Sequence, residues 1–85
     1  MLTRYWFRFS NPKPFSSLGL GCGITAYDED DARAMLNERV FAQLKEYPEI
    51  REVIANIDIR TLDQGHVIPN MGIPVVRGVW FPRGL

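Results

Sequence analysis

The sequence has one cysteine, one histidine and no excess of either charge, and these scarcities restrict both how the fold is stabilised and which partners it attracts. One cysteine cannot close a disulfide within the chain, so the fold must rest on its hydrophobic core. Ten basic and ten acidic side chains cancel, so no overall field attracts nucleic acid or an anionic membrane. Binding of such partners must be local, and the absence of net charge favours a standing protein partner or a homodimer.

Long apolar runs and a basic-then-apolar leader are also missing. Because a run of about 20 apolar residues is needed to cross a bilayer, the sequence predicts no membrane contact and a cytoplasmic location. A length of 85 residues with a hydrophobic fraction of 46% predicts one domain over residues 1–85.

The aromatic residues begin in a strictly alternating segment, Thr3 to Phe9, which predicts a strand. One of its faces carries Tyr5, Phe7 and Phe9, and the other carries Arg4, Trp6 and Arg8. We expect the first face to pack in the core and the second, with its tryptophan between two arginines, to face solvent or a partner. Prolines predict a connecting loop over residues 10–18.

Glycine occupies every second position from Gly19 to Gly23, so the next predicted strand has one bare face. Its other face carries small and apolar side chains: Leu20, Cys22, Ile24 and Ala26. A bare strand face admits a ring, a crossing backbone or a ligand, and the two tryptophans are candidates to cover it.

An acidic cluster at residues 28–31 precedes apolar residues at three- and four-residue spacing, which predicts a helix capped by Asp28 and ending before Pro48. The predicted apolar stripe is Ala32, Met35, Leu36, Val40, Leu44 and Tyr47. The acids do not fit a calcium loop, because arginines (Arg33 and Arg39) stand where that pattern needs glycine and glutamate.

Residues 50–59 fit either a helix or a strand, and their β-branched content favours the strand. A loop over residues 61–74 and a last strand from Val75 to Phe81 complete the chain. The order strand, strand, helix, strand, strand predicts a two-layer α+β domain: two hairpin-like pairs in a sheet of about four antiparallel strands, with the helix on one face. The opposite face is expected to be partly open and to carry Trp6, the glycines and Arg77.

Catalytic and cofactor motifs are weak. The stretch from Gly21 to Ala26 matches the loose dinucleotide pattern G-x-G-x-x-A, but the acids at the helix start oppose phosphate binding. Cys22 as a nucleophile would need His66 within hydrogen-bond reach, and packing is the favoured interpretation of a lone cysteine. We therefore expect no cofactor, no metal site and, on balance, no enzymatic activity.

Two candidate binding surfaces remain. The first is the strand face with Arg4, Trp6 and Arg8, to which Arg77 is added; tryptophan and arginine are enriched at protein interfaces. The same face could stack single-stranded nucleic acid, which is the alternative function. The second is the loop over residues 62–74, either a shaped turn that packs Val67, Ile68 and Met71 or a binding loop that uses His66 and Asn70.

Two stretches, residues 21–32 (GCGITAYDEDDA) and 65–82 (GHVIPNMGIPVVRGVWFP), resemble those of small uncharacterised bacterial proteins of similar length. The resemblance implies a bacterial single-domain protein and assigns no site roles. Together with the residues above, it leads to the expectation of a small bacterial macromolecule-binding module, with protein as the favoured partner.

Overall fold

In a computed structural model, which describes residues 1–10, 17–44 and 48–83, four strands form one antiparallel sheet. The strands are β1 (Thr3–Ser10), β2 (Cys22–Ala26), β3 (Glu49–Ala55) and β4 (Gly78–Phe81), and helix α1 is Glu29–Met35. The α+β class, the antiparallel sheet and its helix are thus confirmed. The spatial order is β3-β1-β2-β4, so the expectation that β3 and β4 pair as a hairpin is wrong. They lie at opposite edges, because the long connection between them crosses the sheet.

The helical segment begins as predicted and then changes its hydrogen bonding. Asp28 caps α1 by accepting a hydrogen bond from the backbone N–H of Asp31 at 2.8 Å. After α1 come a π turn, Leu36–Val40, and a 3-10 turn, Phe41–Gln43. The predicted end of the helix at Tyr47 lies outside the described residues.

The π turn suits the spacing of the apolar side chains. Met35 and Val40, like Leu36 and Phe41, are five residues apart, and all four are buried. A hydrogen bond from each N–H to the fifth preceding carbonyl brings residues at this spacing onto one face. The N–H of Phe41 makes such a bond to the carbonyl of Leu36.

The helix covers the predicted core face of the sheet. The buried cluster there contains the alternating residues of β1 and β2, with the helical stripe above them: Tyr5, Phe7, Phe9, Leu18, Cys22, Ile24, Ala26, Ala32, Met35, Leu36, Val40 and Phe41. Leu20 was expected on this face and is instead 45% exposed, because it precedes the start of β2.

The other face of the sheet is covered as well, which overturns the two-layer expectation. Trp6 is only 2% exposed, so the prediction that its indole faces solvent or a partner is wrong. The connection between β3 and β4 folds across this face and supplies apolar side chains that pack on both tryptophans. The buried cluster is Trp6, Ile57, Leu62, Val67, Trp80 and Phe81, with Ile54, Ile59, Ile68 and Met71 packed against it.

The two tryptophans occupy the bare face of β2, as the alternating glycines suggested. A Cβ atom at Gly23 would lie 2.5 Å from the ring of Trp80, and one at Gly21 would lie 2.7 Å from the ring of Trp6. Gly21 also has a φ of +123°, which side chains rarely adopt. The rings contact each other, with centroids 5.7 Å apart. Gly19 lies outside β2, in a 3-10 turn, Ser17–Gly19.

Strand β3 confirms the strand interpretation over Glu49–Ala55 and no further. Asn56, with a φ of 56°, turns the chain, and Ile57 enters the second core instead of extending the strand. The alternating residues beyond it do not continue the strand. They enter a 3-10 turn, Ile59–Thr61, which Asp58 caps by accepting from the N–H of Arg60.

Strand β4 is shorter than predicted, because the chain does not join the sheet until Gly78. Beyond β4, on its outer edge, the N–H of Gly72 donates to the carbonyl of Trp80 at 2.6 Å. The N–H of Arg83 donates to the carbonyl of Asn70 at 3.3 Å. The connection therefore covers both one face of the sheet and the edge of β4.

The contact between Gly23 and Trp80 leaves no room for a methyl group. We expect Gly23→Ala to lower the free energy of unfolding by about 2 to 3 kcal/mol, measured by urea denaturation, because the indole must shift within a packed core. Gly19→Ala is the matched control: nothing lies within 4 Å of its Cβ position, and we expect a change within about 0.5 kcal/mol. Equal effects of the two substitutions would contradict this account of the packing.

Candidate functional site

The residues predicted to form one binding face are distributed over the molecule. Arg4 is half-buried, and its Nε donates to the carbonyl of Ile57 at 3.3 Å, so it ties the connection to β1. With Trp6 buried between the sheet and the connection, only Arg8 of the three stays exposed. Its Nε lies 3.7 Å from a carboxylate oxygen of Glu52. The predicted arginine–tryptophan platform is therefore not formed.

Arg77 lies beside the start of α1, away from Trp6. Its guanidinium donates through Nε and Nη2 to the two carboxylate oxygens of Asp31 and lies 5.4 Å from the ring centroid of Tyr27. The hydrogen bond from Arg77, reinforced by the N–H of Tyr27, lowers the pKa of Asp31 to about 2. Asp31 thus joins the helix start to the segment that precedes β4.

That segment exposes three apolar side chains within four residues. Ile73, Val75 and Val76, here named the apolar ridge, are 67%, 67% and 58% exposed. The buried hydroxyl of Thr25 donates to the carbonyl of Pro74 in the middle of the ridge. With Arg77 bound to Asp31 at one end, the ridge is held in place at two points.

Sequence reasoning missed this feature because it assigned Val75 and Val76 to a strand. The available signal was an apolar run, IPVV, that lies between Gly72 and Arg77 and does not alternate with polar residues. Such a run is typical of a fully buried strand, and here it is exposed.

His66 and Asn70, the predicted loop residues, do lie together. The Oδ1 of Asp63 accepts from the N–H groups of Gly65 and His66 at 2.8 and 3.0 Å, and its Oδ2 lies 3.1 Å from Nδ1 of His66. The Gly65 N–H and the His66 ring lower the pKa of Asp63. The side-chain amide of Asn70 donates to the carbonyl of His66 at 2.8 Å.

The loop over residues 62–74 also has its own packed side, as predicted. Val67 is fully buried, and Ile68 and Met71 pack against the second core. The outer side of the loop borders a cavity of about 550 Å³, lined by Leu20, His66, Pro69, Asn70, Phe81, Pro82 and Arg83. The loop is therefore both a shaped turn and the wall of a groove.

A cysteine–histidine pair is not formed. Cys22 belongs to the helix-side core, whereas His66 lies in the connection that covers the opposite face. Burial raises the pKa of the Cys22 thiol to about 12. Among residues 1–10, 17–44 and 48–83, no three histidine, cysteine, aspartate or glutamate side chains come together to hold a metal ion.

Within the same described part of the chain, no helix has the length and apolarity to cross a bilayer. Comparison with protein-family models, curated proteins and solved structures gives no match for this chain. Its function must therefore be inferred from the geometry of its own surfaces.

We predict that native Cys22 resists alkylation. With the pKa raised from 9.0 to about 12, the thiolate fraction at pH 8 falls, and iodoacetamide should react about a thousand-fold more slowly than with the urea-unfolded chain. Mass spectrometry of the labelled protein measures both rates. Native labelling within about tenfold of the unfolded rate would restore a reactive role for this thiol.

The contact between Arg77 and Asp31 predicts a pH dependence. Because the folded pKa of Asp31 lies below its ordinary value of 3.8, the contact stabilises the fold above that pH and is lost as the pH falls through about 2. A carboxyl NMR titration should give a midpoint near 2 for Asp31, rising towards 3.8 in Arg77→Gln. The same midpoint in both proteins would exclude Arg77 as the cause.

Proposed function

We propose that this chain is a small bacterial, cytoplasmic protein-binding module without catalytic activity, and that it contacts its partner through the apolar ridge. The observation that carries the proposal is the exposure of Ile73, Val75 and Val76 on a segment that is itself fixed. Contiguous exposed apolar side chains on a soluble domain are typical of interaction sites.

The fixed backbone of the ridge supports this function. Ordering a loop on binding costs conformational entropy, and a loop that is already held in its bound form avoids much of that cost. Thr25 holds the middle of the ridge through the carbonyl of Pro74, and Asp31 holds its end through Arg77. Both contacts leave the three apolar side chains directed away from the core.

The surroundings of the ridge indicate the chemistry of the partner. A groove of about 340 Å³ lies on one side, lined in part by Val79 and Arg39, and another of about 240 Å³ lies on the other side, lined in part by Leu2. Arg39 is exposed and makes no ion pair with the described residues. A protein surface with an apolar groove and a carboxylate placed over Arg39 would complement these features.

Binding of single-stranded nucleic acid, the alternative from the sequence, depended on Trp6 as a stacking surface. Because Trp6 packs against Trp80 and Phe81, that alternative has lost the residue on which it rested. The free cysteine of the helix-side core is compatible with a reducing cytoplasm.

The test is affinity capture with the immobilised chain, followed by quantitative mass spectrometry. Burial of two valines contributes roughly 1.5 kcal/mol or more each, so Val75→Asp/Val76→Asp should reduce the captured partner by about tenfold or more. Arg33→Glu changes the charge by the same two units on a different side of α1 from Asp31, at the cost of an exposed ion pair with Glu29, and should leave capture unchanged.

Circular dichroism must show that both variants are folded. A partner retained equally by the ridge variant and the wild type would rule out the ridge as the contact. Capture of a second copy of this chain, lost in the ridge variant and visible as a dimer by light scattering, would identify the partner as the protein itself.

A further inference from the structure

A second, separate surface lies at the end of the β1–β2 pair opposite the apolar ridge. The cavity beside His66 adjoins one of about 310 Å³, and Leu20 lines both. The second cavity is lined by Arg8, Phe9, Gly19, Leu20, Gly21 and Arg51. We name the combined depression the Leu20 groove. Leu20, which was expected in the core, instead stands half-exposed at its centre.

The charged side chains that line this groove are all basic or neutral. Arg8, Arg51, Arg83 and His66 contribute, and no acidic residue is among the lining residues. Arg51 and Arg83 make no ion pair with the described residues. The ion pair that Arg8 makes with a described residue is a long, solvent-exposed contact with Glu52, which is a weak interaction. In a chain of zero net charge, three arginines on one depression make a local anion-attracting field.

The backbone of the groove wall and the His66 ring are held in place before any ligand arrives. Asp63 engages Nδ1 of His66, so Nε2 is the ring nitrogen left for another partner. Asn70 connects the two ends of the wall. Its side-chain amide donates to the backbone carbonyl of His66, and its backbone carbonyl accepts from the backbone N–H of Arg83. His66, Asn70 and Arg83 therefore belong to one hydrogen-bonded frame.

The remaining wall is apolar, formed by Leu20, Pro69, Phe81 and Pro82. A volume of about 550 Å³ with a few convergent polar groups is typical of sites for small molecules. Bases of nucleic acid could not stack on the two lining phenyl rings, because Phe9 and Phe81 are buried.

We infer that the Leu20 groove binds a small molecule that carries a carboxylate or phosphate group on an apolar body. The guanidinium of Arg83 would hold the anion, since arginine pairs with a carboxylate or a phosphate through two parallel hydrogen bonds. Leu20, Pro69 and Pro82 would contact the apolar body. This site shares no residue with the apolar ridge, so each proposal can fail without the other.

Three probes with similar rings separate the contribution of the anionic group from that of the apolar body. Phenyl phosphate, benzoate and benzyl alcohol are titrated into the protein, and the NMR signals of the Leu20 methyl groups and the His66 imidazole are followed. At least one anion should bind saturably and about tenfold or more tighter than the alcohol. The stronger anion then distinguishes a phosphate site from a carboxylate site.

Two arginine variants complete the test. Arg83→Gln removes a charge that makes no ion pair with the described residues and should weaken binding of the preferred anion by about tenfold. Arg60→Gln is the control, because Arg60 is also exposed to solvent but pairs with Asp58 and does not line the groove. The inference is overturned if the alcohol binds as well as the anions, if no probe saturates, or if the two variants behave alike.

Discussion

The close approach of two indole rings to the glycine face of β2 is the contact on which the rest of the structure depends. Because Gly21 and Gly23 lack Cβ atoms, Trp6 and Trp80 can lie directly on the strand. Trp80 brings β4 to the sheet, and Trp6 gives the connection between β3 and β4 a surface to cover. The contact has a cost, because the buried indole N–H of Trp80 makes no hydrogen bond within the described part of the chain. An unsatisfied buried donor costs about 1–3 kcal/mol, which the packing must offset.

This packing determines where functional surfaces can form. With the helix on one face of the sheet and the connection on the other, both broad faces are covered, and the two proposed binding surfaces lie at the ends. The apolar ridge lies at the end where β1 begins and β2 ends, beside Leu2 and Thr25. The Leu20 groove lies at the opposite end, beside Arg8 and Gly21. A protein and a small anion would therefore not compete for the same position.

Patterns in the sequence correctly predicted the features that depend on residues close together in the chain. The alternation in β1, the bare face of β2 and the cap at Asp28 follow from strand geometry and helix-end hydrogen bonding. The burial of Trp6 was missed, because a strand pattern shows which residues share a face but not which distant segment covers it. The ridge was missed for the same reason: an apolar run at residues 73–76 is typical of a buried strand, and the contacts that hold it at the surface, from Thr25 and from Asp31, come from distant parts of the chain.

The backbone bonds from the connection to β4 have a consequence for self-association. Because Gly72 occupies the outer side of Trp80, a strand from another molecule cannot extend the sheet there. The opposite border is β3, whose exposed Glu49, Arg51 and Glu52 place charges where a neighbouring strand would dock. Charged edge positions discourage uncontrolled stacking into fibrils. A chain with no net charge to keep its copies apart is thus protected from aggregation at its borders instead.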